Sequence, residues 1–245
     1  LKWFEDRSET ADRWLIFIGL STGLSIGVHL LSLLVFPMIG IVYYFKNFKP
    51  SWKGVFIAFT ASVIGIFAIM KFIIYGIPQL MASTELMMVN SFGLPFNSGV
   101  LVGGIIVVGI FGYLIYASNN NRSFLGWNEH KFKISLNTVV LAFAMIVIGF
   151  SSYIMVPIRA TAQPAINMDA PGDMMSMNSY INREQYGDRP LVKGPGYTAT
   201  QYELEEVKKK GKIYKKNEKT GRYEEAGDKY DYVFKESENM LFPRM

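Results

Sequence analysis

The chain has 245 residues, half of them apolar, no cysteine and a formal charge of +5. Only 18% of the residues are charged, which is sparse for a soluble domain, and the missing cysteine excludes disulfides and thiolate metal sites. Residues 158–245 hold 29 of the 45 charged side chains, and the positive excess lies mostly beside apolar runs, where membrane topology explains it without nucleic acid.

No signal peptide is visible. The opening at Leu1 and the close at Met245 read as the ends of a fragment of a longer protein. The first apolar run, residues 14–45, contains one group that titrates near neutral pH, His29. As a single helix it would be about 48 Å long against roughly 30 Å of hydrocarbon. Two helices, 14–28 and 30–45, meeting near Gly27 to His29 fit better, with one strongly tilted span as the alternative. Gly19, Gly23 and Gly27 recur every fourth residue, a spacing that lets helix backbones approach closely within the chain or across a dimer.

Further spans are predicted at 54–78, 97–117 and 135–157, about five in all. Lys46, Lys49 and Lys53 crowd one connection, and Arg122, Lys131 and Lys133 another. The connection between these two, residues 76–96, carries Glu85 and no Lys or Arg. Basic connections stay cytoplasmic. One pair of spans separates the two basic ones, so both fall on one side, and the last span delivers the chain from Arg159 onward to the other. Trp14, Tyr43, Tyr44, Trp52, Tyr113, Tyr116 and Trp127 lie near span ends, where amphipathic rings prefer the interface.

The fold class expected is therefore an all-α polytopic membrane bundle over 1–157, with a small mixed α/β extracytoplasmic segment over 158–245. In that segment 172–184 is a helix candidate with Asp173 as its N-cap or a first-turn acid, and 201–210 a charged, helical piece. Residues 212–216 and 230–235 alternate as strands do, with turn signals at 217–221 and at Gly227-Asp228. The segment has too few apolar residues for a large core of its own.

His29, an ionisable group in an apolar run, is either a functional residue or a neutral imidazole bonded to a neighbour. Lys71 either snorkels to the interface or meets a phosphate. Residues 85–99, with Glu85, Asn90 and Asn97, form an outer loop that lines a cleft or simply connects spans. Arg159 is an interfacial anchor or a phosphate ligand. Arg183, Glu184, Tyr186 and Asp188 suit sugar or peptide contacts, and equally a capped helix end with an ion pair. No Walker loop, HExxH, GxSxG or carboxylate within a span is present, so no self-contained catalytic constellation is visible.

Several strings are more specific: GLSIGVHLL (Gly23 to Leu31), VNSFGLPFNSG (Val89 to Gly99), INMD (Ile166 to Asp169), SYINREQYGDRPLVKGP (Ser179 to Pro195) and NMLFPRM (Asn239 to Met245). In this order they resemble a bacterial membrane family, domain of unknown function 2723, grouped as glycosyltransferase family 117. The resemblance implies a GT-C-like core similar to protein O-mannosyltransferases, in the bacterial inner membrane with the C-terminal segment periplasmic. It implies transfer of a sugar from a polyprenyl-phosphate donor to an extracytoplasmic acceptor, protein or glycan. The family's general base is an acid in an outer loop upstream of this chain, so the fragment alone is expected to be inactive. His29, Lys71 and Arg159 become candidates for the donor phosphate. Glu85, Asn90, Asn97, Arg183, Glu184, Tyr186 and Asp188 become candidates for the acceptor or sugar. No cofactor is evident, metal dependence stays open, and the partners are membrane lipid, the lipid-linked sugar and the acceptor. A non-enzymatic subunit of an assembly or secretion complex is the competing reading. A transporter fragment with His29 and Lys71 on its path is another, although no internal span repeat supports it.

Overall fold

A computed structural model of the chain describes residues 2–6, 8, 10–121, 124–186, 192–196, 208–231 and 239–243. A short helix α1 (Lys2–Glu5) precedes α2 (Arg13–Val28). At His29 the backbone turns extended, with φ −155° and ψ 125°, and a 3-10 turn, Leu30–Val35, leads into α3 (Phe36–Asn47). The first apolar run is thus two helices, broken where expected. The imidazole supports the break: its Nδ1 accepts the Leu31 N–H at 3.1 Å, replacing a bond the interrupted helix cannot make.

The next element differs from expectation. Helix α4 (Trp52–Ala68), a π segment (Ile69–Tyr75) and α5 (Gly76–Asn90) form one uninterrupted run of 39 residues. Residues 76–90 are helix rather than loop, so Glu85 is a carboxylate inside a helical run after all. Pro78 explains both the reading and its failure. A proline lacks the N–H that bonds to residue i−4 and normally ends or kinks a helix. Here the wider π turn sits just ahead of it and absorbs the missing bond, so the helix continues. If straight, the run would be about 58 Å long, roughly twice the hydrocarbon thickness. That surplus lets α5 serve as a seat for the C-terminal segment.

After a turn come α6 (Ser98–Asn120), the short α7 (Glu129–Phe132), α8 (Leu136–Phe150), a 3-10 turn (Ser151–Ile154) and α9 (Met155–Thr161). Among the described residues four helical runs are long and apolar enough to cross a membrane: Leu30–Asn47, Trp52–Asn90, Ser98–Asn120 and Leu136–Thr161. Arg13–Val28 is a shorter apolar fifth.

Helices α2 and α8 lie side by side and parallel. Gly19 faces Ala142, Gly23 faces Ile146 and Gly149, and Gly27 faces Ser152. A Cβ on Gly23 would overlap the Ile146 carbonyl oxygen, so the glycine repeat serves packing within the chain. Helix α3 pairs with α4, and α5 with α6. At one end of the bundle Lys46 donates to the carbonyls of Trp3 and Asp6, Trp3 stacks on Tyr43, and the Tyr43 hydroxyl donates to the Phe132 carbonyl. The connections containing Lys46 and Lys131 therefore share an end, as the parity of the spans requires.

The C-terminal segment begins with α10 (Met174–Ile181), capped by a reciprocal pair: the Asp173 carboxylate accepts the Ser176 N–H, and the Ser176 hydroxyl accepts the Asp173 N–H. The helix is shorter than 172–184 because Arg183 is left-handed, φ 55°. Two small antiparallel sheets follow, β1 (Lys193–Pro195) with β4 (Asn239–Leu241), and the hairpin β2 (Lys208–Asn217) with β3 (Arg222–Asp231). The turn at 217–221 is as expected, with Gly221 at φ 66°. Gly227-Asp228 is not a turn. It lies within β3, where Gly227 pairs with Ile213 and Glu225 with Tyr214, so Ala226 is the extra residue of a bulge. Residues 208–210 are strand, not helix, and 201–207 and 232–238 lie outside the described residues.

The main buried cluster joins Ile26, Leu33, Ile69, Ile74, Ile146 and Phe150 of the bundle to Met177 and Ile181 of α10. The C-terminal segment is thus keyed into the membrane core.

Candidate functional site

Glu85 is fully buried, and its carboxylate meets the start of α6. Oε1 accepts the Asn97 N–H at 2.7 Å, while Oε2 accepts the N–H groups of Gly99 at 2.9 Å and Val100 at 3.2 Å. The first N–H groups of a helix have no partner within it and carry the positive end of its dipole. Asn97 would ordinarily supply a local cap, but its backbone is left-handed, φ 71°, and its side chain makes no cap bond. A carboxylate from the neighbouring helix does this work instead. The approach requires Gly99, where a Cβ would overlap the Glu85 backbone, and is reinforced by Thr84, whose hydroxyl donates to the Gly99 carbonyl at 2.8 Å.

The hairpin docks on this turn through Tyr223, which is 3% exposed. The Asn90 side chain donates to the Tyr223 carbonyl at 2.8 Å and accepts its N–H at 2.9 Å, continuing the strand's bonding with an amide that mimics a peptide. The phenol donates to Glu85 Oε1 at 3.3 Å, and the ring stands edge-on to Phe96, over which Lys216 also lies. Burial pushes the Tyr223 phenol well above its usual range, and the carboxylates of Glu85 and Asp173 push the same way. Beside this contact lies an open cleft of about 400 Å³, with Ser83, Leu86, Met87, Asn90 and Ser91 on the helix side and Tyr214, Tyr223 and Glu225 on the hairpin side.

The structure therefore gathers Glu85, Asn90 and Asn97 in one place. Glu184 joins the same hairpin from the 3-10 turn after α10, accepting Lys229 Nζ at 2.7 Å and the Ser179 hydroxyl at 2.6 Å. Arg183 stacks over Tyr186 on the exposed surface. Asp188 lies outside the described residues. His29, Lys71 and Arg159 are exposed and stand on separate elements: the break after α2, the π segment and the last turn of α9. No hydrogen bond or ion pair joins them to one another. Among the described residues no group of His, Asp and Glu is arranged to hold a metal ion.

Tyr223 was not singled out in the sequence. Its signal is slight: one large ring between Gly221 and Ala226, flanked by Arg222, Glu224 and Glu225, immediately after a turn.

Residues 187–245 match the model of a family of unknown function, DUF8416, which spans both strand pairs. No curated protein and no solved structure matches the chain. Residues 1–52 match the model described as the protein O-mannosyl-transferase TMEM260 N-terminal domain, so the stretch from α1 through α3 is similar to that of a protein O-mannosyltransferase.

Proposed function

We propose that the chain is part of a membrane glycosyltransferase that moves a sugar from a polyprenyl-phosphate donor to an acceptor outside the cytoplasm. The supporting observation is the similarity of residues 1–52 to a protein O-mannosyl-transferase N-terminal domain, on a bundle of membrane-capable helices. Basic connections at one end of the bundle support a reading in which that end faces the cytoplasm of a bacterial inner membrane and the hairpin end the periplasm. In the reaction the bond from the sugar's anomeric carbon to the donor phosphate breaks while the acceptor hydroxyl forms the new one. A carboxylate from outside this chain takes the hydroxyl proton, and cationic or N–H groups steady the leaving phosphate. His29 suits that last role: with Nδ1 accepting from Leu31, Nε2 carries the proton and is left to donate. Lys71 and Arg159 are exposed cations for the same role.

The test is sugar transfer by the full-length protein in proteoliposomes, supplied with polyprenyl-phosphate-linked mannose and exported proteins of its host. Transfer is expected, and His29→Ala or Arg159→Ala should lower it by about tenfold or more. An unchanged rate removes that residue from the site, and no transfer from any polyprenyl-phosphate sugar overturns the proposal. One observation favours a non-enzymatic membrane subunit instead: Glu85, the one buried carboxylate among the described residues, is spent on backbone amides. That reading requires the host's exported glycans to survive deletion of the gene.

A further inference from the structure

The cleft lies between α5 and the hairpin, beside the Tyr223 contact that holds the two together. Its unused hydrogen-bonding capacity is specific. The hydroxyls of Ser91 and Tyr214 bond to no described residue, whereas the Ser83 hydroxyl donates to the Gln79 carbonyl at 2.8 Å and accepts the Gln79 side-chain amide at 3.5 Å. Glu225 gives one oxygen to Lys212, leaving Oε2 open. Neutral hydroxyls and one carboxylate oxygen thus line the cleft beside an apolar patch from Leu86 and Met87.

This chemistry discriminates among ligands. Among the described residues an anion finds no unpaired cation beside the cleft, because Lys212 is paired with Glu225, and Lys216, which lies over the Phe96 ring, with Glu218. An organic cation would have to compete with Lys212 for the single carboxylate. An acyl chain would strand the hydroxyls and the carboxylate oxygen. A neutral ring with hydroxyls on its edges and C–H groups on one face satisfies both kinds of lining, and a volume of about 400 Å³ lies at the small-ligand end of the usual range.

We infer that this composite cleft is a saccharide-binding site, in which Ser91, Tyr214 and Glu225 take the hydroxyls and Leu86 and Met87 the apolar face. The inference rests on the glycosyltransferase reading only for the expectation that a sugar is presented at this end of the bundle. The cleft's own lining selects the chemistry. Because the site is shared by helix and hairpin, a bound sugar also stabilises their docking.

The test is saturation-transfer difference NMR with the 245-residue chain in lipid nanodiscs, using methyl α-mannopyranoside, methyl β-glucopyranoside and N-acetylglucosamine as probes and inorganic phosphate and choline as controls. At least one saccharide is expected to bind, competing with neither control. Ser91→Trp, which fills the cleft from an exposed position, and Tyr214→Ala, which removes a hydroxyl and a ring, should each weaken binding by about tenfold. Failure of all three saccharides to bind, or binding unaffected by both substitutions, overturns the site. Transfer activity in proteoliposomes is read separately: transfer without cleft binding refutes this inference and keeps the enzyme, and cleft binding without transfer does the reverse.

Discussion

Replacing Glu85 by glutamine changes one oxygen for an NH2 group and almost nothing else, so it isolates the tertiary cap on α6. In the native arrangement one oxygen takes the Asn97 N–H and the other takes those of Gly99 and Val100. Whichever way the amide turns, its NH2 faces a backbone donor. The cheaper orientation keeps the oxygen on Gly99 and Val100 and gives up Asn97. That loses the charge-assisted bond from Asn97, about 1.5–3 kcal/mol, while the Tyr223 hydroxyl can turn from donor to acceptor of the new NH2. It also loses the negative charge at the helix N-terminus, worth about 1 kcal/mol and up to ~2 where partly buried. The sum is about 2.5–5 kcal/mol, which for a chain of this size is a fall of roughly 5–20 °C in the melting midpoint. Glu85→Ala would strand all three amides and cost so large a share of a typical folding free energy that the glutamine variant is the better instrument. Tryptophan fluorescence during thermal unfolding in micelles gives the magnitude, and hydrogen exchange at Asn97, Gly99 and Val100 gives the location. A variant that melts with the native protein, or one that melts early with exchange at these amides unchanged, would refute the capping argument.

Asn90→Ala removes both bonds to the Tyr223 backbone, so it should cost about 2 kcal/mol and speed exchange in β3 while leaving α5 and α6 protected. Gly23→Ala should separate α2 from α8 at a cost of about 1–3 kcal/mol, whereas Gly65→Ala, where a Cβ meets nothing within 4 Å, should leave the melting midpoint unchanged or slightly raised. Alkaline pH should release the hairpin. The Tyr223 phenol is raised above its ordinary value of 10.0, so its contribution is complete below that pH and is lost as pH climbs through the higher folded value. Limited digestion by an alkaline-active protease should then cut the hairpin faster in the native protein, and Tyr223→Phe should abolish the pH dependence.

The features legible in the sequence were those governed by composition over a long window. Charge-poor runs located the helices, the break at His29 followed from a run too long for one span, and glycine spacing announced the α2–α8 contact. The cap at Asp173 and the turn at 217–221 were readable because their chemistry is local. The long helix was misjudged at Pro78 because a π turn, set by the packing of Ile69, Ile73 and Ile74 in the core, has no sequence signature of its own. Glu85 was misplaced for the same reason. An acid beyond a proline reads as loop, and only the fold shows that its charge is met by the open end of a helix that starts thirteen residues later. Gly227-Asp228, a turn dipeptide by composition, is paired strand next to the bulge at Ala226, because the residues on both sides of it are held by β2.

The docking contact also shows how a charged segment attaches to an apolar bundle. In the hairpin, Tyr223 is the one buried apolar side chain among the described residues, and α10 contributes Met177 and Ile181. So few large side chains cannot offset the ordering of a separate core. The segment instead uses groups the helices must satisfy in any case. The N-terminus of α6 needs an acceptor, Glu85 supplies it, and the carboxylate, already held by three amides, accepts the Tyr223 hydroxyl as well. The helix end, the buried charge and the hairpin thus stabilise one another. Disturbing any of the three should be felt at the other two, which distinguishes this arrangement from a hairpin resting independently on the bundle.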